Sequence, residues 1–197
     1  MSKTLLLLAL GACGAALAEP SPREVQEIHL RDFHSQGMVK KEAAGQDTVQ
    51  RICTLTRDNP PADVARQLEA DQMKTIAFPA GNLLGSWKNG ENIAQSGRGM
   101  TFTDKPGPEN GGSCYNCHQL AASEISYGTL GPSLLRFGKL RGNTPEMQKY
   151  VYGKIYNSKA YSACSQMPRL GYSGTLTEQQ IKDLTAYLLD PASPVNQ

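Results

Sequence analysis

A chain of 197 residues with 19 glycines, 12 prolines and 19% charged residues has room for one small domain with an appended segment, built of short helices and much loop. Its formal charge is +2, and removing residues 1–18 takes away Lys3 and no acid, which leaves +1. A surface so close to neutral excludes nucleic acid and an anionic membrane face as electrostatic partners.

The chain opens as a processing signal. Lys3 precedes the apolar run Thr4 to Leu10, and Ala16-Leu17-Ala18 before Glu19 has the small-x-small form of a signal-peptidase site. Residues 1–18 therefore read as a signal peptide, with Glu19 starting the mature chain. The run is too short to span a bilayer and no later stretch resembles a membrane span, so a soluble periplasmic protein is expected. A looser lipoprotein pattern, Leu10-Gly11-Ala12-Cys13, offers a second processing site in which Cys13 becomes a lipidated N-terminus.

Residues 19–80 read as a helical extension. In Ser21-Pro22-Arg23-Glu24 the serine is an N-cap, the proline suits the first helical position and the glutamate reaches back to the cap. Val25, Ile28 and Phe33 give this helix an apolar side, and His29 and His34 lie on it or just past its end. After Pro60-Pro61, Asp63 to Met73 is a second helix with Val64 and Leu68 on one face, broken at Phe78-Pro79-Ala80-Gly81.

Residues 81–197 read as the main domain. A helix is expected from Leu83 to Gly97, containing Trp87, Ile93 and Ala94. Gly97, Gly99, Pro106, Gly107, Pro108, Gly111 and Gly112 then form a loop that delivers Cys114-Tyr115-Asn116-Cys117-His118. Two thiols separated by two residues can reach the two vinyl groups of one porphyrin, and the adjoining His118 can ligate its iron. A thioredoxin-like pair would need a neighbouring βαβ pattern, and a zinc site would need a second ligand pair; neither pattern is present. One covalently attached haem c is the expected cofactor, with Cys114, Cys117 and His118 as its attachment and proximal ligand residues.

An iron-bound histidine commonly donates its other N–H to a carbonyl, and Gly131-Pro132-Ser133-Leu134 stands where small class I cytochromes c supply one, which assigns that task to the Pro132 backbone. Thr144 and Pro145 cap and start a helix through Met147, Val151 and Ile155. Tyr150, Tyr152 and Tyr156 on it pack around the macrocycle or in the ordinary core. Met167 stands in the loop Ser162-Ala163-Cys164-Ser165-Gln166-Met167-Pro168-Arg169, and a loop methionine downstream of the motif can reach the open haem face as the sixth ligand. Cys164, His29 and His34 remain alternatives. Thr177-Glu178-Gln179-Gln180 opens a final amphipathic helix with Ile181, Leu184, Tyr187 and Leu188, stopped at Asp190-Pro191.

Five cysteines leave two without a task once Cys13 goes with the signal and Cys114 and Cys117 go to haem. In an oxidising compartment Cys53 and Cys164 most simply form a disulfide, with iron ligation or a reactive thiol at Cys164 as the other reading. The fold class expected is mainly α, a class I cytochrome c-like haem domain with an N-terminal helical extension.

The series Gly112-Ser113-Cys114-Tyr115-Asn116-Cys117-His118-Gln119-Leu120, Tyr127-Gly128-Thr129-Leu130-Gly131-Pro132-Ser133-Leu134, Gly138-Lys139-Leu140-Arg141-Gly142, Ile155-Tyr156-Asn157 and Ala163-Cys164-Ser165-Gln166-Met167-Pro168-Arg169 resembles the SoxX family. These are the monohaem subunits of SoxAX sulfur-oxidation cytochrome complexes. The resemblance covers residues 80–197, including the ending Asp190-Pro191-Ala192-Ser193-Pro194-Val195-Asn196. It implies His118/Met167 ligation and a periplasmic partnership with a SoxA-like cytochrome c subunit. The pair would act as an L-cysteine S-thiosulfotransferase, oxidatively joining thiosulfate to a cysteine of the carrier protein SoxYZ. The bond-forming site would belong to the partner, and this chain would pass electrons to a soluble cytochrome c acceptor. Two other readings are a free diffusible electron carrier, and a haem enzyme or sensor in which Met167 leaves the iron open.

Overall fold

The computed structural model describes residues 19–37, 39, 45–99, 101–104 and 110–197. The expected signal peptide with Cys13, two of the methionines (Met38 and Met100) and residues 105–109 of the glycine- and proline-rich loop lie outside the described residues. The chain divides into two units, Met1–His34 and Ser35–Gln197. In the first, helix α1 (Pro22–Asp32) begins as its sequence dictates. The Ser21 hydroxyl accepts from the Glu24 N–H at 3.3 Å, and the Glu24 carboxylate accepts from the Ser21 N–H at 2.7 Å. Val25, Ile28, Leu30 and Phe33 are exposed, and the His29 ring meets Phe33 edge-on at 5.1 Å.

The second unit is built from α2 (Thr48–Leu55), α3 (Ala62–Met73), α4 (Trp87–Gln95), α5 (Phe137–Arg141), α6 (Pro145–Tyr156) and α7 (Glu178–Leu189). Single 3-10 turns stand at Cys114–Asn116, Ser158–Ala160 and Pro194–Asn196. The mainly helical class matches the sequence expectation. Helices α2 and α5 have no counterpart in that reading, because both are short. A local signal for α2 did exist: Asp47 and Gln50 cap each other reciprocally, with N–H to side-chain oxygen distances of 2.9 and 3.0 Å. The remaining stabilisation of α2 is tertiary, since Val49 and Cys53 are buried with Leu68 of α3 and Ala163 of a distant loop.

The main core lies where α4 and α7 cross, joined by α6. Ala94, Tyr152, Ile181, Leu184, Tyr187 and Leu189 are almost wholly buried, and each large apolar side chain contributes on the order of 1.5–3 kcal/mol by leaving water. Close approach depends on Gly90: a Cβ there would strike the Asp183 carbonyl oxygen and sit 2.7 Å from the Tyr187 Cβ. Helix α4 is shorter than the expected 83–97 because its flanks are held extended by other partners. The Gly85 N–H donates to the Lys182 carbonyl at 3.0 Å and the Ser86 N–H to the buried Asp183 carboxylate at 2.8 Å. At the other end Ser96 leaves helical geometry, and its carbonyl accepts the Ser113 N–H at 2.8 Å. This last bond ties the start of the cysteine motif to the end of α4.

Helix α6 buries Val151, Tyr152 and Ile155, so Tyr152 is a core residue, with its hydroxyl 3.4 Å from the Ala77 carbonyl. Burial pushes the Tyr152 phenol up to about 12. Tyr150 is exposed and meets Tyr161 edge-on at 5.1 Å. The C-terminal turn folds back on α5 and α7. Asn196 accepts from the Lys139 N–H at 3.1 Å and donates to the carbonyls of Leu188 and Asp190 at 3.1 and 2.8 Å.

Candidate haem site

The motif cysteines stand on a tight turn. Ser113 enters it in the left-handed region (φ 47°), after which the N–H groups of Cys117 and His118 donate to the Cys114 carbonyl at 3.1 and 2.9 Å. Both Cys114 and Cys117 are free thiols. Burial pushes the Cys114 thiol up to about 12, so it stays neutral.

The segment after the motif wraps around it. The Gly128 N–H donates to the Tyr115 carbonyl and the Gly131 N–H to the Cys117 carbonyl, both at 2.8 Å. This places the Pro132 carbonyl 2.7 Å from His118 Nδ1. A carbonyl only accepts, so Nδ1 carries the proton and Nε2 presents a lone pair. A Cβ on Gly131 would lie 2.5 Å from Nδ1 and 2.8 Å from Nε2, so the glycine clears a space for the ring that other side chains would fill. The sequence reading assigned only the Pro132 carbonyl and missed this role of Gly131. Glu124 adds a further brace, accepting from the N–H groups of Leu120 and Ala121 at 2.7 and 3.2 Å.

Met167 lies in the loop between the Ser158–Ala160 turn and α7, half-buried against the main core. The structure joins Cys53 and Cys164 in a disulfide with Cα atoms 5.5 Å apart. That bond removes Cys164 from the free thiols and from the candidate iron ligands. His29 and His34 belong to the first unit. The residues that hold the methionine loop, Ser158 and Lys159, were not singled out from sequence; nothing in their local pattern marks them.

The donor set fits a haem c. Two unpaired thiols, an imidazole with its Nδ1 proton already committed, a cleared ring face at Gly131 and a half-buried thioether are the groups such a cofactor requires. A family model for cytochrome c matches residues 88–190, more than half of the chain. An uncharacterized lipoprotein of Aquifex aeolicus (strain VF5) is 37% identical over 209 residues, covering 99% of this chain and 98% of the relative. The chain belongs to the cytochrome c family. It is a redox-active, electron-transferring protein with a covalently attached haem c. Among the described residues, no helix is long and apolar enough to cross a membrane.

Proposed function

We propose that this cytochrome binds its haem through Cys114 and Cys117, with His118 and Met167 as axial ligands, and carries single electrons away from periplasmic sulfur oxidation. The observation that carries the His118 assignment is the His118 Nδ1 to Pro132 carbonyl bond of 2.7 Å beside the two free thiols, while Met167 rests on its place in the loop downstream of the motif. The haem iron supplies the chemistry, one electron per ferric–ferrous cycle. The chain's own residues would orient the imidazole through the Pro132 carbonyl and present a thioether. Thioether ligation raises the reduction potential, which suits a protein that accepts electrons.

The family match and the lipoprotein relative support a periplasmic electron carrier, and they favour a freely diffusing one over a subunit. The finer reading is the SoxX-type subunit, in which a SoxA-like cytochrome joins thiosulfate to a cysteine of SoxYZ and this chain takes the released electrons. It is supported by the ordered motifs and by the ending Asp190 to Asn196, in which Ser193, Val195 and Asn196 are buried instead of trailing as a tail. The test is to tag the C-terminus, express the protein in its own host growing on thiosulfate, and identify what co-purifies. An equimolar second c-type cytochrome is expected; recovery of this chain alone with its haem would leave the free carrier.

The N-terminus has two candidate forms, Glu19 after signal-peptidase cleavage and a lipidated Cys13. The relative's description as a lipoprotein favours the second. The intact mass of the same purified sample, with or without the acyl chains, decides between them.

A further inference from the structure

Met167 sits in a stretch that makes one 3-10 turn at Ser158–Ala160 and no other regular structure before α7, so the local backbone alone does not fix the thioether. Its fastening comes from elsewhere. The buried Ser158 hydroxyl donates to the Met167 carbonyl at 2.6 Å, and the Lys159 ammonium donates to the carbonyls of Ala163 and Ser165 at 3.3 and 3.1 Å. From α3, Glu69 accepts the Ala163 N–H at 3.0 Å; from the α2 cap, Asp47 pairs with Arg169 at 2.6 Å. The Cys53–Cys164 disulfide then closes a separation of 111 residues, three positions before Met167. Helices α2 and α3 lie outside the span matched by the cytochrome c family, 88–190, so they are an addition to that domain.

We propose that α2 and α3 are a clamp on the Met167 loop, and that the disulfide makes the haem's distal ligation respond to dithiol reductants. The proposal rests on the reading of Met167 as an axial ligand. The other contacts are single hydrogen bonds and one ion pair, each worth far less than a covalent closure of so long a loop, and loss of the disulfide shifts the loop towards local opening. Cys164 is the partly exposed partner, while Cys53 is buried and lines, with Met167, a cavity of about 690 Å³. A thiolate of the dithiol attacks Cys164 Sγ, the S–S bond breaks, and Cys53 leaves as a thiolate that takes up a proton. The second thiol of the reductant closes its own disulfide and releases Cys164 as a thiol. Two electrons and two protons pass from the dithiol to the protein.

The experiment uses the holoprotein under carbon monoxide. Ascorbate reduces the iron and leaves the disulfide; dithiothreitol reduces both. Carbon monoxide binding at least about tenfold faster in dithiothreitol is expected, since a tenfold population of open loop needs only a modest change in opening free energy. Equal rates overturn the clamp. The Cys53→Ser/Cys164→Ser protein in ascorbate alone is expected to show the fast rate and a lower midpoint potential. If that variant does not assemble, the dithiothreitol comparison on the natural protein decides. Met167→Ala with the disulfide intact separates the two ideas. A rate no faster than the natural protein's removes the axial-ligand reading. A fast rate that dithiothreitol does not raise further is expected of a clamp acting through Met167, and a fast Met167→Ala beside a natural protein indifferent to dithiothreitol keeps the ligand reading while ending the clamp.

Discussion

The two segments that carry the proposed axial ligands, His118 and Met167, are held in different ways. On the histidine side the fastening is local: the Cys114 to Pro132 segment closes on itself through backbone bonds, and His118 reaches its acceptor only 14 positions along the chain. On the methionine side the decisive partners are remote. Glu69 to Ala163 spans 94 positions and the disulfide 111. A motif that folds around its own backbone keeps its geometry wherever the chain places it, whereas a loop pinned by distant elements inherits their stability. The motif that points to the cofactor therefore resides in the first segment, and under the proposed ligation the adjustable part of the site lies in the second.

The comparison is tested most severely at the disulfide. In the loop-entropy account, Cys53→Ser/Cys164→Ser should lower the unfolding free energy of the holoprotein by on the order of 4–5 kcal/mol. Guanidinium titration at matched haem content measures it, and a loss below about 1 kcal/mol would show that the remote fastening is dispensable.

The histidine side should yield to a local change. Gly131→Val puts a side chain into the space of the His118 ring and is expected to cost about 1–3 kcal/mol, with the proton resonances of the axial imidazole displaced. Unshifted resonances would mean that the ring is not held by that glycine.

The smallest effect concerns Asp47. Burial alone would raise its carboxyl, but the Gln50 N–H and the Arg169 guanidinium outweigh this and hold it below the usual carboxylate range. A depressed folded value stabilises the fold above the unfolded pKa, and the contribution disappears as pH falls through the folded one. Asp47→Asn should cost about 1 kcal/mol near neutrality, and the gap to the natural protein should close below about pH 4. A gap independent of pH would assign the loss to something other than the ion pair.

Much of this molecule is legible in its residues, for reasons that differ along the chain. Capping chemistry is local, so Ser21, Thr144 and Thr177 mark the starts of α1, α6 and α7 without any tertiary information. Helix α2 has a similar cap at Asp47, yet at eight residues it is too short to stand out or to be stable alone, and it takes Leu68 and Ala163 to bury its face. Helix α4 loses residues at both ends of its expected range because Gly85 and Ser86 are engaged by α7 and the Ser96 carbonyl by Ser113, which no window of the sequence around Trp87 reveals.

Within the site the same division holds. Cys114, Cys117 and His118 are adjacent, so their chemistry can be read as a word, and the Pro132 carbonyl follows from what an iron-bound imidazole needs at its free nitrogen. The space that Gly131 leaves for the ring depends on the path of residues 118–131 and is visible only once they are folded. By itself the sequence determined the class of cofactor and the approximate helix starts, because each depends on residues within a turn or two of one another. The tertiary structure alone decided which elements grip Met167. Ser158, Lys159, Glu69, Asp47 and Cys53 share no local pattern, and only packing brings them to one loop.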